Sequence, residues 1–221
     1  MKTDSAYILN MDFTRTECLR PENQKWVTSP ADGVSRVHLE RVEEESGHAT
    51  SFVEFAPGSF FPQHSHPNGE EIFVLEGVFS DEAGDYPAGT YIRNPPGSFH
   101  KPFTKEGCKL FVKLEQFQSG DNQHVVIRPE DRQWRQGLGN LKVLSLHMFN
   151  TESTALVAWP KNEVFQSHHH MGGAEIVVIS GRFIDEYGEY PAGSWLRSPH
   201  MSQHCPRVEE ETLIYVKVGY L

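Results

Sequence analysis

Short apolar runs, each four or five residues long and separated by turn residues, recur along the chain. Positions 51–55, 71–75, 90–93 and 110–114 are rich in Val, Ile, Phe, Tyr and Thr and are bounded by Gly, Pro and Asp; positions 155–159, 176–179, 194–197 and 214–218 repeat the pattern. That length and that enrichment predict strands rather than helices, and their number predicts an all-β sandwich or barrel. The run 72–75 does not alternate between apolar and polar, so both faces of that strand are expected to be covered. The first strand-like segment is expected near Tyr7.

The two sets of strands are copies of one unit. Phe79-Ser80-Asp81-Glu82-Ala83-Gly84-Asp85-Tyr86-Pro87-Ala88-Gly89 returns as Phe183-Ile184-Asp185-Glu186-Tyr187-Gly188-Glu189-Tyr190-Pro191-Ala192-Gly193, and 10 of 17 positions are identical between 79–95 and 183–199. An internal repeat of this size predicts two domains, each with its own core. The polar stretch 116–123 interrupts the strand pattern and reads as a linker, which places the domains at 1–120 and 121–221.

Composition narrows the classes of partner. The formal charge is −10 and no run of Lys or Arg is present, which disfavours nucleic acid and anionic membrane surfaces. No stretch reaches the roughly 18 apolar residues of a membrane span, and residues 1–7 lack the apolar run of a signal peptide, so a cytoplasmic location is the expectation. Cys18, Cys108 and Cys205 are far apart and form no C-x-x-C, so they read as reduced structural residues.

The repeat carries its chemistry in histidines. His64, His66 and His100 recur as His168, His170 and His204 at one constant offset, so six of the 12 histidines fall on two constellations. His64, His66 and Glu70 share one parity, so in an extended segment all three point to one side. His100 follows the Pro95-Pro96-Gly97 turn and can reach the same point. Three imidazoles and a carboxylate suit Zn, Fe, Mn or Ni, at one or two ions per chain. The second copy has Ala174 where the first has Glu70, and Glu175 has the opposite parity and is expected to face away. His169 and His200 are given no role. The repeated pairs Arg93/Arg197 and Lys113/Lys217 read as salt-bridged structural residues in preference to substrate anchors.

The spacing Gly58-x5-His64-x-His66-x3-Glu70-x6-Gly77, followed by Gly89-x5-Pro95-x-Gly97-x2-His100, resembles the two signature motifs of cupins. The wording around it is similar to the cupin domain of ChrR, a zinc-binding anti-sigma factor, and the likeness covers both copies. The resemblance implies two tandem jelly-roll barrels with few or no helices, and His64, His66, Glu70 and His100 as metal ligands. It also implies a small-molecule ligand or substrate. Met201 departs from it by replacing the glycine of the second motif. The helical, sigma-binding domain of ChrR-type regulators has no counterpart in the sequence, so a sigma factor is not the expected partner. Related cupins include acetylacetone-cleaving dioxygenases that hold iron with three histidines. The leading expectation is therefore a bicupin in which Fe(II) serves as Lewis acid for oxygen-dependent cleavage of a diketone-like or hydroxyketone-like substrate. The alternative is a zinc-binding sensor. No catalytic acid or base outside the ligands is identifiable.

Overall fold

The computed structural model describes residues 8–43 and 45–221. It is all-β, and its only helical turns among the described residues are the short 3-10 segments Pro21–Asn23 and Pro129–Asp131. The strand expected near Tyr7 falls at the edge of the described residues: Tyr7 itself lies outside them, and Leu9 forms a bridge with Arg41.

One compact unit comprises Lys25–Arg132 with the stretch that ends at Met11, and the other comprises Asp12–Gln24 and Gln133–Leu221. In the first, the main sheet runs Val125–Ile127, Tyr91–Asn94, Glu70–Asp81, Cys108–Leu114, Ala49–Phe55, Val34–Arg41, Val27–Thr28, every neighbour antiparallel. In the second it runs Glu17–Leu19, Trp195–Ser198, Ala174–Ser180, Thr212–Val218, Glu152–Trp159, Lys142–Phe149, Arg135–Gln136. Short two-stranded pairs complete each barrel, among them His64–Ser65 with Phe99–His100 and His168–His170 with Ser202–His204.

The opening strand of each repeat belongs to the other unit. Glu17–Leu19 pairs with Trp195–Ser198, and Val125–Ile127 pairs with Tyr91–Asn94. Flanking groups hold the exchanged segments by the same means: Arg20 stacks on Tyr190 and Arg128 on Tyr86, while Gln24 and Arg132 donate to the carbonyls of Gly193 and Gly89. A division of the sequence near residue 120 follows the repeat, whereas compactness follows this exchange.

The cores repeat residue for residue. Ile72, Val74, Phe79, Tyr86 and Leu110 in the first unit match Ile176, Val178, Phe183, Tyr190 and Ile214 in the second, all at most 5 % exposed. Each such side chain contributes about 1.5–3 kcal/mol by leaving water. The alternate positions of the same strands are buried as well, as the unbroken apolar run 72–75 suggested, and they carry charge. Arg93 is 1 % exposed and bonds to Glu71 at 2.7 Å and Asp121 at 2.6 Å, with the Phe117 ring 3.9 Å from its guanidinium carbon. Lys217 pairs with Glu152 at 2.7 Å, and Lys113 donates to Thr50 at 3.2 Å. Arg93 and Lys217 are thus ion-paired inside the fold, and Arg197 donates to the Asp12 carbonyl at 3.0 Å, so the repeated basic residues are engaged by the structure itself.

The stretch 116–123 is therefore no free linker at its centre, because Asp121 is 1 % exposed and neutralises Arg93. Asp121→Ala is expected to destabilise the protein by about 1–3 kcal/mol in denaturant unfolding, since it leaves one buried Nη of Arg93 without its acceptor while Glu71 still pairs with the other. A solvated linker aspartate would change stability by no more than about 0.5 kcal/mol.

Candidate functional site

In the first unit the donor atoms of His64, His66, Glu70 and His100 all lie within 4.8 Å of one another. The segment is not extended throughout, as the parity argument assumed. His64 lies in a two-residue strand, a turn follows at Pro67 and Asn68, and Glu70 opens the next strand. Gly69 adopts φ +83°, and a Cβ there would collide with the Phe117 ring, so glycine is required to bring His66 and Glu70 back to the same place. His100 arrives from the opposite strand, directly paired with His64, after a turn in which Gly97 has φ +82°.

Groups on the far side of each ring orient it. The Nδ1 of His64 faces the Pro62 carbonyl at 2.9 Å, that of His66 faces Ser98 Oγ at 2.9 Å, and that of His100 faces Asp81 Oδ2 at 3.6 Å. With Nδ1 engaged outward, Nε2 is presented inward, the arrangement that second-shell partners impose on metal-binding histidines. Glu70 Oε2 accepts from Asn94 at 3.0 Å and lies 3.3 Å from His66 Nε2 and 3.4 Å from His100 Nε2. Burial holds the His66 pKa below its ordinary value, against the pull of Glu70. At His100 burial acts in the same direction, but the nearby Asp81 and Glu70 carboxylates outweigh it and raise the pKa.

The set fits a divalent transition metal. His66 Nε2 and His100 Nε2 are buried and have no hydrogen-bond partner among the described residues, which is costly unless a cation accepts their lone pairs. Three imidazole nitrogens and one carboxylate oxygen form a donor set used for Zn, Fe, Mn or Ni.

The second unit reproduces the triad. His168, His170 and His204 converge in the same way, and their Nδ1 or Nε2 partners repeat too: His168 Nδ1 faces the Gln166 carbonyl at 3.0 Å and His204 Nδ1 faces Asp185 Oδ2 at 3.1 Å. His170 Nε2 stands 3.0 Å from His204 Nε2, and burial, followed by the neighbouring histidines, lowers the His170 pKa to about 4. Ala174 leaves this cluster without a carboxylate. Glu175 lies outside it, fully buried, and accepts from Trp195 Nε1 at 2.8 Å. Met201 keeps the turn that Gly97 makes, at φ +63°, so the departure from the motif costs backbone strain without displacing His204 from the cluster. His169 is exposed, and His200 Nδ1 accepts from the Gly172 amide at 2.8 Å. All three cysteines are free.

Asp81 and Asp185 escaped the sequence reading. Both lie in the most strongly repeated block and both orient a histidine, but an acid beside a turn has no local mark that separates this role from solvation.

Asp81→Asn is expected to weaken metal binding in the first unit by about 10- to 100-fold, measured by competition with a chromogenic chelator. Glu175→Gln is expected to lower the melting temperature while leaving the metal content of the second cluster unchanged; a large loss of metal would assign Glu175 as a ligand. Met201→Gly is expected to stabilise the protein by about 1 kcal/mol in thermal unfolding, because it removes the left-handed strain of a side-chain-bearing residue.

Comparisons with known proteins bear on the family and the fold. The ChrR cupin-like domain matches the chain twice, over residues 14–118 and 122–221. No curated protein matches in sequence. Among solved structures, a candidate dioxygenase from Nostoc punctiforme superposes with a TM-score of 0.75 at 14 % identity, covering 93 % of this chain and 82 % of that one. The protein Ylba from E. coli gives 0.73 at 12 % identity, covering 97 % and 94 %. A deletion variant of Bacillus subtilis oxalate decarboxylase gives 0.65 at 16 % identity, covering 91 % and 76 %. At these identities the structures establish a shared fold. The two domain matches establish more: this chain belongs to the ChrR cupin-like family and carries its domain twice.

Proposed function

We propose that the chain is a metal-dependent enzyme whose first barrel holds the working centre, and that it cleaves a diketone-like or hydroxyketone-like substrate with molecular oxygen. The observation that carries this reading is that His64, His66, Glu70 and His100 all border one cavity of about 350 Å³ whose other walls are mainly aliphatic and aromatic. A purely structural metal site needs no such space, whereas catalysis needs room beside the ligands for a substrate. The names of the structural relatives, a candidate dioxygenase and an oxalate decarboxylase, support chemistry on small oxygenated carbon compounds in this fold.

His64, His66, Glu70 and His100 would hold the metal, which when bound supplies a Lewis acid and a redox-active centre. The protein does the rest through position. The Pro62 carbonyl, Ser98 and Asp81 fix the ring orientations, so the donor set does not have to reorganise when substrate enters. Phe61, Ile72, Phe79 and Leu110 give the cavity an apolar wall that excludes water and strengthens the electrostatic effect of every charge inside. Four protein ligands leave two positions on a six-coordinate iron or manganese but close a tetrahedral zinc. The identity of the metal therefore separates the enzyme from a zinc-binding sensor.

Elemental analysis of protein purified without chelators or a metal-affinity tag, followed by an oxygen-uptake screen with small diketones and hydroxyketones, tests the proposal. Iron or manganese in the first barrel and substrate-dependent oxygen uptake are expected. His64→Ala combined with His66→Ala should abolish both while the second cluster keeps its own metal. Tightly held zinc with no oxygen uptake would transfer the protein to the sensor class.

A further inference from the structure

The cavity of the first barrel has two arginines on its wall whose counterparts in the second copy are uncharged. Arg36 and Arg41 both line it, on the strand Val34–Arg41. Strict alternation would put positions 36 and 41 on opposite faces. A register shift between His38 and Glu40 reverses the parity and turns both toward the cavity.

Strand pairing identifies their counterparts in the second copy. Arg36 pairs with Val53, and the repeat mate of Val53, Val157, pairs with Val143; Arg41 pairs with Ala49, and the mate of Ala49, Ser153, pairs with Met148. Two guanidinium groups in one copy thus stand where the other has Val and Met. Fold maintenance, common to both barrels, does not account for them.

Arg36 is arranged as a carboxylate receptor. Its Nη1 and Nη2 donate to the two oxygens of Glu45 at 3.2 and 2.8 Å, the bidentate geometry that guanidinium offers a carboxylate. Its side chain is 14 % exposed while that of Glu45 is 50 % exposed, so the barrel fixes the arginine and the acid comes from an outer loop. A pair with one partner in water is weak and exchangeable. The Nε of Arg36 is buried and makes no hydrogen bond among the described residues, which leaves one donor of the fork unused. Arg41 is fixed in place by His38 Nε2 at 3.1 Å and by the Glu43 carbonyl at 2.8 Å, so Arg36 is the guanidinium of this wall whose partner lies in an exposed loop. Burial and the two arginines keep His38 neutral, with a pKa near 4. The other acid of the wall, Glu115, accepts from the Gly47 amide and from Asn68.

We propose that the first barrel takes a small keto or hydroxyketo carboxylic acid with an apolar body, that Arg36 binds its carboxylate, and that Glu45 occupies this receptor until the substrate displaces it. The inference rests on the first barrel being the substrate site. The apolar wall meets the carbon skeleton, the ketone end reaches the histidine cluster, and the charged end stays at Arg36. A volume of about 350 Å³ suits a small acid, being at the lower end of the roughly 300–1,000 Å³ of ligand sites.

The test is calorimetric titration of the full chain, stripped of metal by a chelator, with 4-methyl-2-oxopentanoate, its methyl ester and inorganic phosphate. The acid is expected to bind about tenfold or more tightly than the ester. Arg36→Gln should erase that preference, Arg36→Lys should retain part of it, and Glu45→Gln should tighten binding of the acid several-fold without affecting the ester. Equal binding of acid and ester, phosphate binding as tightly as the acid, no binding of the acid, or indifference of the acid to Glu45→Gln would each overturn the proposal. Should Arg36→Gln fail to fold, the acid-to-ester ratio in Arg36→Lys and Glu45→Gln decides, since the exposed Glu45 tolerates substitution. No metal takes part in these titrations, so absence of oxygen uptake would sink the oxygenase reading and leave the acid preference standing, and the converse result would do the reverse.

Discussion

Imidazole lone pairs that converge in an apolar interior are unfavourable neighbours unless positive charge lies among them. The first barrel brings three imidazoles and a carboxylate to that condition, with two Nε2 atoms buried and without a hydrogen bond among the described residues. Much of the surrounding structure keeps them there. The Pro62 carbonyl, Ser98 and Asp81 stop the rings from turning their nitrogens outward to find other partners, Gly69 folds the chain so that Glu70 returns to His66, and Asn94 holds the Glu70 carboxylate in place. The barrel supplies a stiff frame of paired strands, and the site draws its donor geometry from that stiffness.

The two copies show which features serve the fold and which serve a particular site. Core residues, the triad and the aspartates behind His100 and His204 are common to both. Glu70, Arg36 and Arg41 occur only in the first, where Ala174, Val143 and Met148 stand opposite. The second barrel thus retains a three-histidine cluster, with two of its nitrogens 3.0 Å apart, but has neither the carboxylate nor the two arginines. Duplication followed by specialisation of one copy accounts for this asymmetry more simply than two equivalent centres.

The site was legible in the sequence where chemistry and spacing coincide. Histidines at a constant offset are conspicuous in any register, and the Glu70 to Ala174 change was visible for the same reason. Other features depend on relations between distant positions. Asp121 sits in a polar stretch and reads as solvated; only the approach of Arg93 and Phe117 reveals it as buried. Arg36 and Arg41 have opposite parity in the chain, and a bulge that no local signal announces puts them on one face. The exchange of opening strands was invisible because an apolar strand does not encode which edge it will join.

That exchange bears on the order in which the molecule can be made. Synthesis proceeds from the amino terminus, and domains commonly fold as they emerge. Here the strand Glu17–Leu19 has no edge to join until Trp195–Ser198 exists, and the sheet of the first unit stays open beside Tyr91–Asn94 until Val125–Ile127 has been added. The histidine cluster of the first barrel is complete at His100, before that sheet can close. A nascent chain therefore carries exposed sheet edges for most of its elongation, and the first barrel gains its last strand only after the ribosome has begun the second repeat.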